Sequence, residues 1–242
     1  MKQLLILPLI MLFFAVNSIS AVNDSIDPGL PMLKIPIVPG GDVAFLRYIT
    51  ENVKYPVSAF EMGTQGRIGC RFTVRKDGSV GNVRIQNFSI LNICNPLESF
   101  TMNDTLALKN KKIEYEALTS EAIRVVCSFL DSFPKWTYDD RYGTYVDIDY
   151  SVPVRFSLSK HGTTYELGKT SVSDVMKEHF PFEKPLIILD GKEIAVESIK
   201  DVEDVFNISI LKYNEAIELY GDRGKNGVFI IRIKDRWCRN LN

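Results

Sequence analysis

Few residues of this chain have the side chains and the spacing that catalysis or metal binding requires. The sequence contains two histidines, His161 and His179, and neither has a cysteine or carboxylate at metal-ligand spacing on a shared element. Two pairs of aspartates, at 139–140 and 147–149, have the composition of hydrolase carboxylates, but acids on the outward face of a strand are usually solvated. We therefore expect a protein that is not an enzyme, with no cofactor, no metal site and two solvent-exposed histidines.

The four cysteines, Cys70, Cys94, Cys127 and Cys238, are the next candidates for chemistry. Alternating apolar residues place Cys70 on the inward face of a strand, and helical spacing places Cys127 on the inward face of a helix. Two buried thiols and a disulfide between these two residues both fit this pattern. The sequence leaves the pairing of all four cysteines open.

Three glycines near the C-terminus, Gly221, Gly224 and Gly227, enclose Arg223 and Lys225. A phosphate-binding loop would need a different glycine spacing and a Lys-Ser/Thr pair at the start of a helix, and the segment has neither. Glycines that supply positive φ angles ahead of a strand are a simpler explanation. We predict a turn, with Arg223 in a salt bridge to an acidic neighbour.

The overall composition is that of an ordinary soluble globular protein: 45% of the 242 residues are hydrophobic and 24% are charged. The 29 basic and 30 acidic residues give a formal net charge of −1, and the basic residues form no cluster. Counterion release, which drives nucleic-acid binding, needs such clusters. Nucleic acid is therefore not an expected partner.

The N-terminal residues have the three-part pattern of a secretory signal peptide. A basic start at 1–3 precedes an unbroken apolar run over 4–16 and a short polar segment, with cleavage expected after Ser20 or Ala21. The apolar run is shorter than the roughly 20 residues that a membrane-spanning helix needs. We expect an exported protein, and an uncleaved segment that anchors it to the inner membrane is the alternative.

From residue 40 onward the pattern indicates two short helices and a hairpin. Asp42 is expected to cap a helix that ends before Pro56, and a second helix follows over 57–62. Alternating apolar residues then predict two strands joined by a turn at 76–78.

A helix and a long strand complete this part of the chain. Polar residues over about 92–112 interrupt the pattern, and a helix with an apolar face is predicted around 122–130. Residues 146–158 alternate between apolar and polar side chains, which predicts a long strand with one buried face. Pro153 has no amide hydrogen, so this strand should lie at the edge of its sheet, where another strand can pair with it.

The C-terminal part has weaker signals. Residues 160–184 are predicted to be a linker with one short helix around 172–178. The last part has short strand, turn and helix signals that predict a small mixed α/β module with little core of its own. The expected division is a signal peptide at 1–21, a linker at 22–39, a first domain at 40–159, a linker at 160–184 and a module at 185–242.

Five short segments resemble, in order and spacing, the C-terminal domain of TonB. They are Tyr55-Pro56, Gln65-Gly66-Arg67, Lys76-Asp77-Gly78-Ser79-Val80, Pro134-Lys135-Trp136 and Val152-Pro153-Val154-Arg155-Phe156. The resemblance covers about residues 40–158 and implies an α+β fold in which two helices pack on a three-stranded antiparallel sheet. It also implies a protein of the Gram-negative periplasm, with a packing role for Trp136.

The C-terminal part is similar to the plug domain of TonB-dependent outer-membrane receptors. The residues of this plug-like motif are Asp190, Gly191, Tyr220, Gly221, Arg223, Gly224, Asn226 and Gly227. A receptor of this kind also needs a barrel of about 22 strands, which this chain cannot contain. The resemblance therefore implies a plug-like module within a periplasmic protein and not a transport pore.

The resemblance also implies a binding mode. TonB C-terminal domains bind an extended segment of a receptor by strand addition, in which the backbone groups of a sheet edge supply the affinity. By resemblance, the peptide-binding edge strand consists of Tyr145, Val146, Asp147, Ile148, Asp149, Tyr150, Ser151 and Val152, and the adjacent turn consists of Lys54, Tyr55 and Pro56.

The implied function is that of a TonB-family protein accessory to or regulating TonB-dependent transport across the outer membrane. Its partner would be a TonB-dependent receptor segment or another component of the TonB system, with no small-molecule substrate. The plug-like tail could also dock on the first domain. An envelope sensor or chaperone-like protein that uses the same fold for other partners is the alternative.

Overall fold

The computed structural model of the protein describes residues 32–92, 95–101, 112–139, 142–158, 161–166 and 171–233. The predicted signal peptide, Cys94 and Cys238 lie outside these residues. Over the described ranges, no helix combines the length and the apolar character needed to cross a membrane.

The described residues form thirteen strands, five α-helices and two 3-10 helices. The strands are β1 (Leu33–Lys34), β2 (Pro36–Ile37), β3 (Thr64–Val74), β4 (Val80–Asn92), β5 (Asn95–Thr101), β6 (Thr137–Tyr138), β7 (Thr144–Tyr145), β8 (Ile148–Phe156), β9 (Thr163–Glu166), β10 (Leu186–Leu189), β11 (Lys192–Glu193), β12 (Val205–Leu211) and β13 (Val228–Ile233). The helices are α1 (Asp42–Asn52), α2 (Val57–Glu61), α3 (Lys112–Ser132), α4 (Val172–His179) and α5 (Tyr213–Tyr220), with 3-10 helices at Val196–Asp201 and Gly221–Gly224. The structure thus combines helices with several sheets, which is consistent with the predicted α+β class.

The first sheet is antiparallel and has the strand order β5-β4-β3-β8. Strand residues alternate between the two faces of a sheet. Along β3 this alternation turns Ile68, Cys70, Phe72 and Val74 toward one face, where all four are fully buried. Apolar residues of α1, α2 and α3 join the same core, so the three helices cover this face.

This sheet has four strands and three helices, whereas the TonB resemblance implied three strands and two helices. The additional strand, β5, has the sequence Asn-Pro-Leu-Glu-Ser-Phe-Thr, which lacks clear apolar alternation. Helix α3 also begins at Lys112, well before the predicted start at 122. Strand pairing depends on neighbours that are distant in sequence, so a local pattern does not reveal β5.

Helix α1 begins without the side-chain cap predicted for Asp42. Gly41 occupies the N-cap position with a φ of 82°, and no side chain makes a capping hydrogen bond there. Such a left-handed φ suits glycine, and the helix therefore begins one residue earlier than a cap at Asp42 would imply. Asp42 is instead the first helical residue, where its charge faces the positive end of the helix dipole.

Residues 33–37, predicted to lie in an extended linker, form two short strands. β1 pairs with β7 in parallel, and β2 pairs with β6 in antiparallel orientation. Pro36 and Val38 are buried, and the carbonyl oxygen of Pro36 accepts a hydrogen bond from the Tyr150 hydroxyl. This segment is therefore attached to the first sheet near the start of β8.

The second sheet is mixed and has the strand order β11-β10-β13-β12-β9. Strands β10 and β13 are parallel, and the other neighbours are antiparallel. One face packs under α4 and the first 3-10 helix, in a core formed by Val172, Val175, Phe180, Ile187, Ile199, Ile208, Ile210, Phe229 and Ile231. The other face contributes Val228 and Ile230 to the core of the first sheet. Both faces of the second sheet are therefore covered.

The second sheet includes residues from the segment 160–184, which was predicted to be a linker. The helix expected at 172–178 is present as α4, and β9 forms the sheet edge next to β12. The sequence gives no signal for β9 because Thr-Thr-Tyr-Glu has no apolar alternation. The C-terminal module, expected to have little core of its own, has one core under α4 and shares a second with the first sheet.

Candidate functional site

Strand β8 lies at one edge of the first sheet, as Pro153 predicted. Its nine residues pair with β3, from Ile148 opposite Val74 to Phe156 opposite Gly66. Among the described residues β8 has no second strand neighbour, and the strands of the C-terminal sheet pair with one another. Within the described part of the chain, the tail therefore does not occupy this edge.

The eight residues predicted to form the edge strand divide into two groups. Ile148–Val152 lie in β8. Tyr145 lies in β7, paired with Lys34 of β1, and the Lys34 ammonium group lies 4.8 Å from the centroid of its ring. The two residues between, 146–147, belong to neither strand. The open edge therefore begins at Ile148, because the N-terminal segment already pairs with Tyr145.

Aromatic packing holds β8 against the helix-covered face. Tyr150 stacks on Phe72 with 5.6 Å between ring centroids, and Trp136 meets Tyr150 edge-on at 5.3 Å. The Tyr150 hydroxyl donates a hydrogen bond to Pro36 at 2.8 Å, and burial raises the pKa of Tyr150 to about 12. Trp136 is only 2% exposed, which confirms its predicted packing role. Buried aromatic side chains thus pack against β8 on the helix-covered face of the sheet.

The opposite, helix-free face of the first sheet carries arginines that the sequence analysis did not identify as a group. Pairing of β3 with β8 places Arg67 directly opposite Arg155, and pairing of β3 with β4 places Arg71 opposite Arg84. We call Arg67, Arg71, Arg84, Arg155 and the neighbouring Asp149 the arginine face. Arginines at alternate positions of adjacent predicted strands are the sequence signal that could have revealed it.

Asp149 neutralises one end of the arginine face. Its carboxylate pairs with Arg71 at 2.8 Å and with Arg84 at 3.3 Å, and it accepts a hydrogen bond from the Thr73 hydroxyl. The Thr73 hydrogen bond, and then the two guanidinium groups, hold the pKa of Asp149 below its ordinary value. Asp149 is therefore a member of an ion-pair network, whereas the sequence analysis treated it as simply solvated.

The predicted turn at 54–56 lies near the other end of β8. The ring of Tyr55 packs edge-on against Phe156 at 5.7 Å and against His161 at 5.5 Å, and its hydroxyl donates to the Thr64 carbonyl oxygen at 2.6 Å. The prediction that His161 is solvent-exposed is wrong, because its ring is half-buried against Tyr55. The turn and Tyr145 thus lie toward opposite ends of β8.

The remaining candidates for chemistry are packed in the fold. His179, also predicted to be exposed, is half-buried with its ring 4.9 Å from that of Tyr165. Cys70 and Cys127 are free thiols, and burial raises the pKa of Cys70 to about 12, which keeps it protonated. In the described ranges no group of histidine, cysteine and acidic residues is arranged to hold a metal ion.

A buried arginine that the sequence analysis missed joins the second sheet to α2. Arg232 of β13 is fully buried, and its guanidinium donates to the carbonyl oxygens of Phe60 at 2.6 Å and Glu61 at 2.8 Å. It also donates to Asn207 at 2.9 Å and to Ser209 at 2.7 Å on its own sheet. Carbonyls at a helix C-terminus lack intrahelical donors and carry the negative end of the dipole, so a guanidinium suits them. We call these five residues the arginine joint.

Two members of the plug-like motif lie beside the arginine joint. The Tyr220 hydroxyl donates to the Glu61 carboxylate at 3.1 Å. Burial raises the pKa of Glu61, and this hydrogen bond and two nearby guanidinium groups partly oppose the increase. Asp190 is buried, and its carboxylate accepts a hydrogen bond from the backbone amide of Ile233 at 3.1 Å.

Other motif residues form the exposed turns of the second sheet. Arg223 pairs with Glu193 at 2.6 Å, which confirms the acidic neighbour predicted for it. Gly191, Gly221 and Asn226 are exposed. Gly191 lies beside the Glu61 carboxylate that Tyr220 contacts, and a Cβ atom there would lie 3.6 Å from a Glu61 carboxylate oxygen.

Two glycines of the motif permit close packing. A Cβ atom on Gly224 would lie 2.2 Å from the Ala216 carbonyl oxygen of α5. Gly227 has a φ of 88°, and a Cβ atom there would lie 2.3 Å from the Phe180 ring. Only glycine fits at these positions. The positive φ of Gly227 agrees with the predicted turn, whereas the close packing at Gly224 was not predicted.

Residues 51–91 match the family model described as the Gram-negative bacterial TonB protein C-terminal. The resemblance to the TonB C-terminal domain is thus shown for this segment. The TonB-like segment begins in the last turn of α1, contains the turn at 54–56 and α2, and extends through β3 into β4. Strand β8 and the plug-like motif lie outside it.

Two solved structures of a TonB C-terminal domain are similar to this chain. A solution NMR structure of the Helicobacter pylori TonB C-terminal domain is 20% identical, with a TM-score of 0.29, and the similarity covers 48% of this chain and 78% of that one. A second solution NMR structure of the same domain is 22% identical, with a TM-score of 0.27 and coverage of 48% and 91%. No curated protein matches the sequence.

Proposed function

We propose that this protein is an interaction module of the TonB system that binds an extended protein segment as an additional strand on β8. The free edge of β8 carries the proposal, and the TonB-like segment at 51–91 supports the choice of system. The role is accessory to or regulatory of TonB-dependent transport across the outer membrane. It is exercised in the periplasm and involves protein binding without catalysis.

Pro153 suggests which backbone groups of β8 meet the partner. Antiparallel pairing alternates residues whose N–H and C=O groups face the neighbouring strand with residues whose groups face away. Pro153 has no N–H, so it suits a position, opposite Gly69, whose backbone faces away from β3. Ser151 and Arg155, two residues before and after it, then offer N–H and C=O groups to an added strand.

The proposal assigns the binding surface to the first domain, 40–159, and a docked, plug-like role to the C-terminal module, 185–242. The arginine joint supports this assignment because it attaches the second sheet to the end of α2. A tail held there does not compete for β8. In this arrangement the module stabilises the binding domain and leaves its edge available.

A titration tests the proposal. A fluorescein-labelled peptide from the N-terminal segment of a TonB-dependent receptor should bind saturably to the protein, as measured by fluorescence anisotropy. Ser151→Pro removes one outward-facing donor and should weaken binding by about 1 kcal/mol, or roughly fivefold. Ser151→Thr retains the N–H and serves as the matched control. A peptide with N-methyl groups at alternate residues should also bind weakly to the unaltered protein.

The opposite results would exclude strand addition on β8. One such result is the absence of saturable binding. The other is equal affinity of the labelled peptide for the folded Ser151→Pro and Ser151→Thr variants. Equal affinity for unrelated extended peptides would instead favour the chaperone-like alternative.

A further inference from the structure

We infer that the segment that adds to β8 carries an acidic residue opposite Arg155, on the helix-free face of the sheet. This inference rests on the proposed strand addition and specifies the chemistry of the partner. It follows from the uneven distribution of charge along the arginine face.

The two ends of the arginine face differ in their neutralisation. Arg71 and Arg84 share the carboxylate of Asp149. Arg67 and Arg155 are both exposed, lie directly opposite one another and have no carboxylate partner among the described residues. Directly opposed side chains on adjacent strands have Cβ atoms about 4.5–5.5 Å apart, and like charges at that spacing repel. The Arg155 end of the arginine face therefore carries positive charge that an anion would neutralise.

A strand added to β8 would supply that anion from a defined position. Its residue opposite Arg155 would extend the row that Arg67 and Arg155 begin, on the same face and at the same cross-strand spacing. At the other end of β8, the residue opposite Asp149 would face a carboxylate, and an acid there would be repelled. Strand β8 should therefore prefer a segment that has one acidic residue opposite Arg155 and a neutral or basic residue opposite Asp149.

Synthetic peptides can test this preference without knowledge of the natural partner. The probes are labelled nine-residue peptides of alternating threonine and valine with one variable residue, placed at the third or the seventh position. The variable residue is glutamate, glutamine or lysine. Dissociation constants are measured at low and at high ionic strength. Hydrogen exchange along Ile148–Phe156 reports in parallel whether each peptide occupies β8.

We expect glutamate at one of the two positions to bind about threefold to tenfold more tightly than glutamine, as for a partly exposed ion pair that relieves repulsion between two cations. A peptide with lysine at that position should bind more weakly than one with glutamine, and high salt should reduce the differences in affinity.

The favoured position also reports the orientation of the added strand, because antiparallel addition brings the third residue of the peptide toward Arg155. Arg155→Gln should abolish the preference. Arg47→Gln, which removes an exposed arginine from α1 on the opposite side of the sheet, should retain it.

The outcomes separate this inference from the proposal on which it rests. Protection of β8 with equal affinities for glutamate, glutamine and lysine would overturn the acidic preference and leave strand addition intact. An unchanged preference in Arg155→Gln would overturn the assignment of Arg155. Failure of every peptide to protect β8 would overturn strand addition itself.

Discussion

Arg232 in the second sheet is fully buried and donates hydrogen bonds to four acceptors, whereas Arg67 and Arg155 in the first sheet are exposed and lack a carboxylate among the described residues. Arginine side chains therefore have different surroundings in the two sheets. In the arginine joint, every acceptor would lose a donor if the guanidinium were removed. On the arginine face, the guanidinium groups remain available to a partner.

The surroundings of the two sheets explain this difference. The second sheet is covered on both faces, so the buried charge of Arg232 needs the hydrogen bonds that the helix C-terminus and two polar side chains accept from it. The first sheet is covered by helices on one face, and β8 lies at its edge. We therefore expect the joint between the sheets to affect mainly stability, and we propose that the free edge and the arginine face meet the partner.

The largest effect is expected from removal of the joint. Arg232→Met removes one hydrogen-bond donor from the carbonyl oxygens of Phe60 and Glu61 and from the side chains of Asn207 and Ser209. The backbone amide of Gly63 still donates to the Phe60 carbonyl oxygen at 3.0 Å. We expect a loss of about 3–5 kcal/mol in the free energy of unfolding, measured by urea denaturation. The matched control is Arg223→Met at an exposed pair, which should cost no more than about 1 kcal/mol. Similar losses in the two variants would contradict the structural role of Arg232.

A smaller, pH-dependent effect is expected from Tyr220→Phe. The variant loses the hydrogen bond to Glu61, which should cost about 1 kcal/mol near neutral pH. Burial raises the pKa of Glu61, so its ionisation lowers stability as the pH rises through the folded-state value, and the Tyr220 hydroxyl opposes that loss. The difference between variant and wild type should therefore widen as the pH rises from 4.5 to 8.

The exposed Tyr213 provides the control for that experiment. Tyr213→Phe should leave the free energy of unfolding unchanged over the same pH range, because the side chain is 65% exposed. A pH-independent difference between Tyr220→Phe and wild type would show that Glu61 is not coupled to this hydroxyl.

The smallest effect is expected on the arginine face. Asp149→Asn weakens the pairs with Arg71 and Arg84 and should cost about 0.5–1 kcal/mol at pH 7. The lowered pKa of Asp149 means that its contribution is present above the unfolded value near 3.8 and is lost as the pH falls through the folded value. The two unfolding free energies should converge in acid. Asp131→Asn, an exposed change on α3, is the control and should show no such convergence.

The sequence revealed those elements whose residues carry their own pattern. Strict alternation and Pro153 predicted β8 and its place at an edge, and the hairpin of β3 and β4 followed from the same signal. β5 and β9 were missed because partners distant in sequence, and not apolar alternation, make them strands. The N-terminal strands were missed for the same reason.

The sequence predicted part of the edge strand and did not predict the charged residues beside it. Ile148–Val152 lie in the edge strand, but Tyr145 does not, because β1 pairs with it. The arginine face depends on the register between three strands, which local spacing does not specify. The role of Arg232 depends on the end of a helix far away in the sequence, although one cation within an apolar strand is a signal worth noting.

Residue-resolved hydrogen exchange of the protein, alone and saturated with the labelled receptor peptide, shows whether β8 is the binding edge. Strand β9 is the internal comparison, because it is an edge strand of the second sheet. We expect the amides of Ser151 and Arg155 to exchange rapidly in the free protein and slowly with the peptide, while those of Thr163–Glu166 do not change. Slow exchange of Ser151 and Arg155 before the peptide is added, or protection of β9 in place of β8, would contradict this expectation.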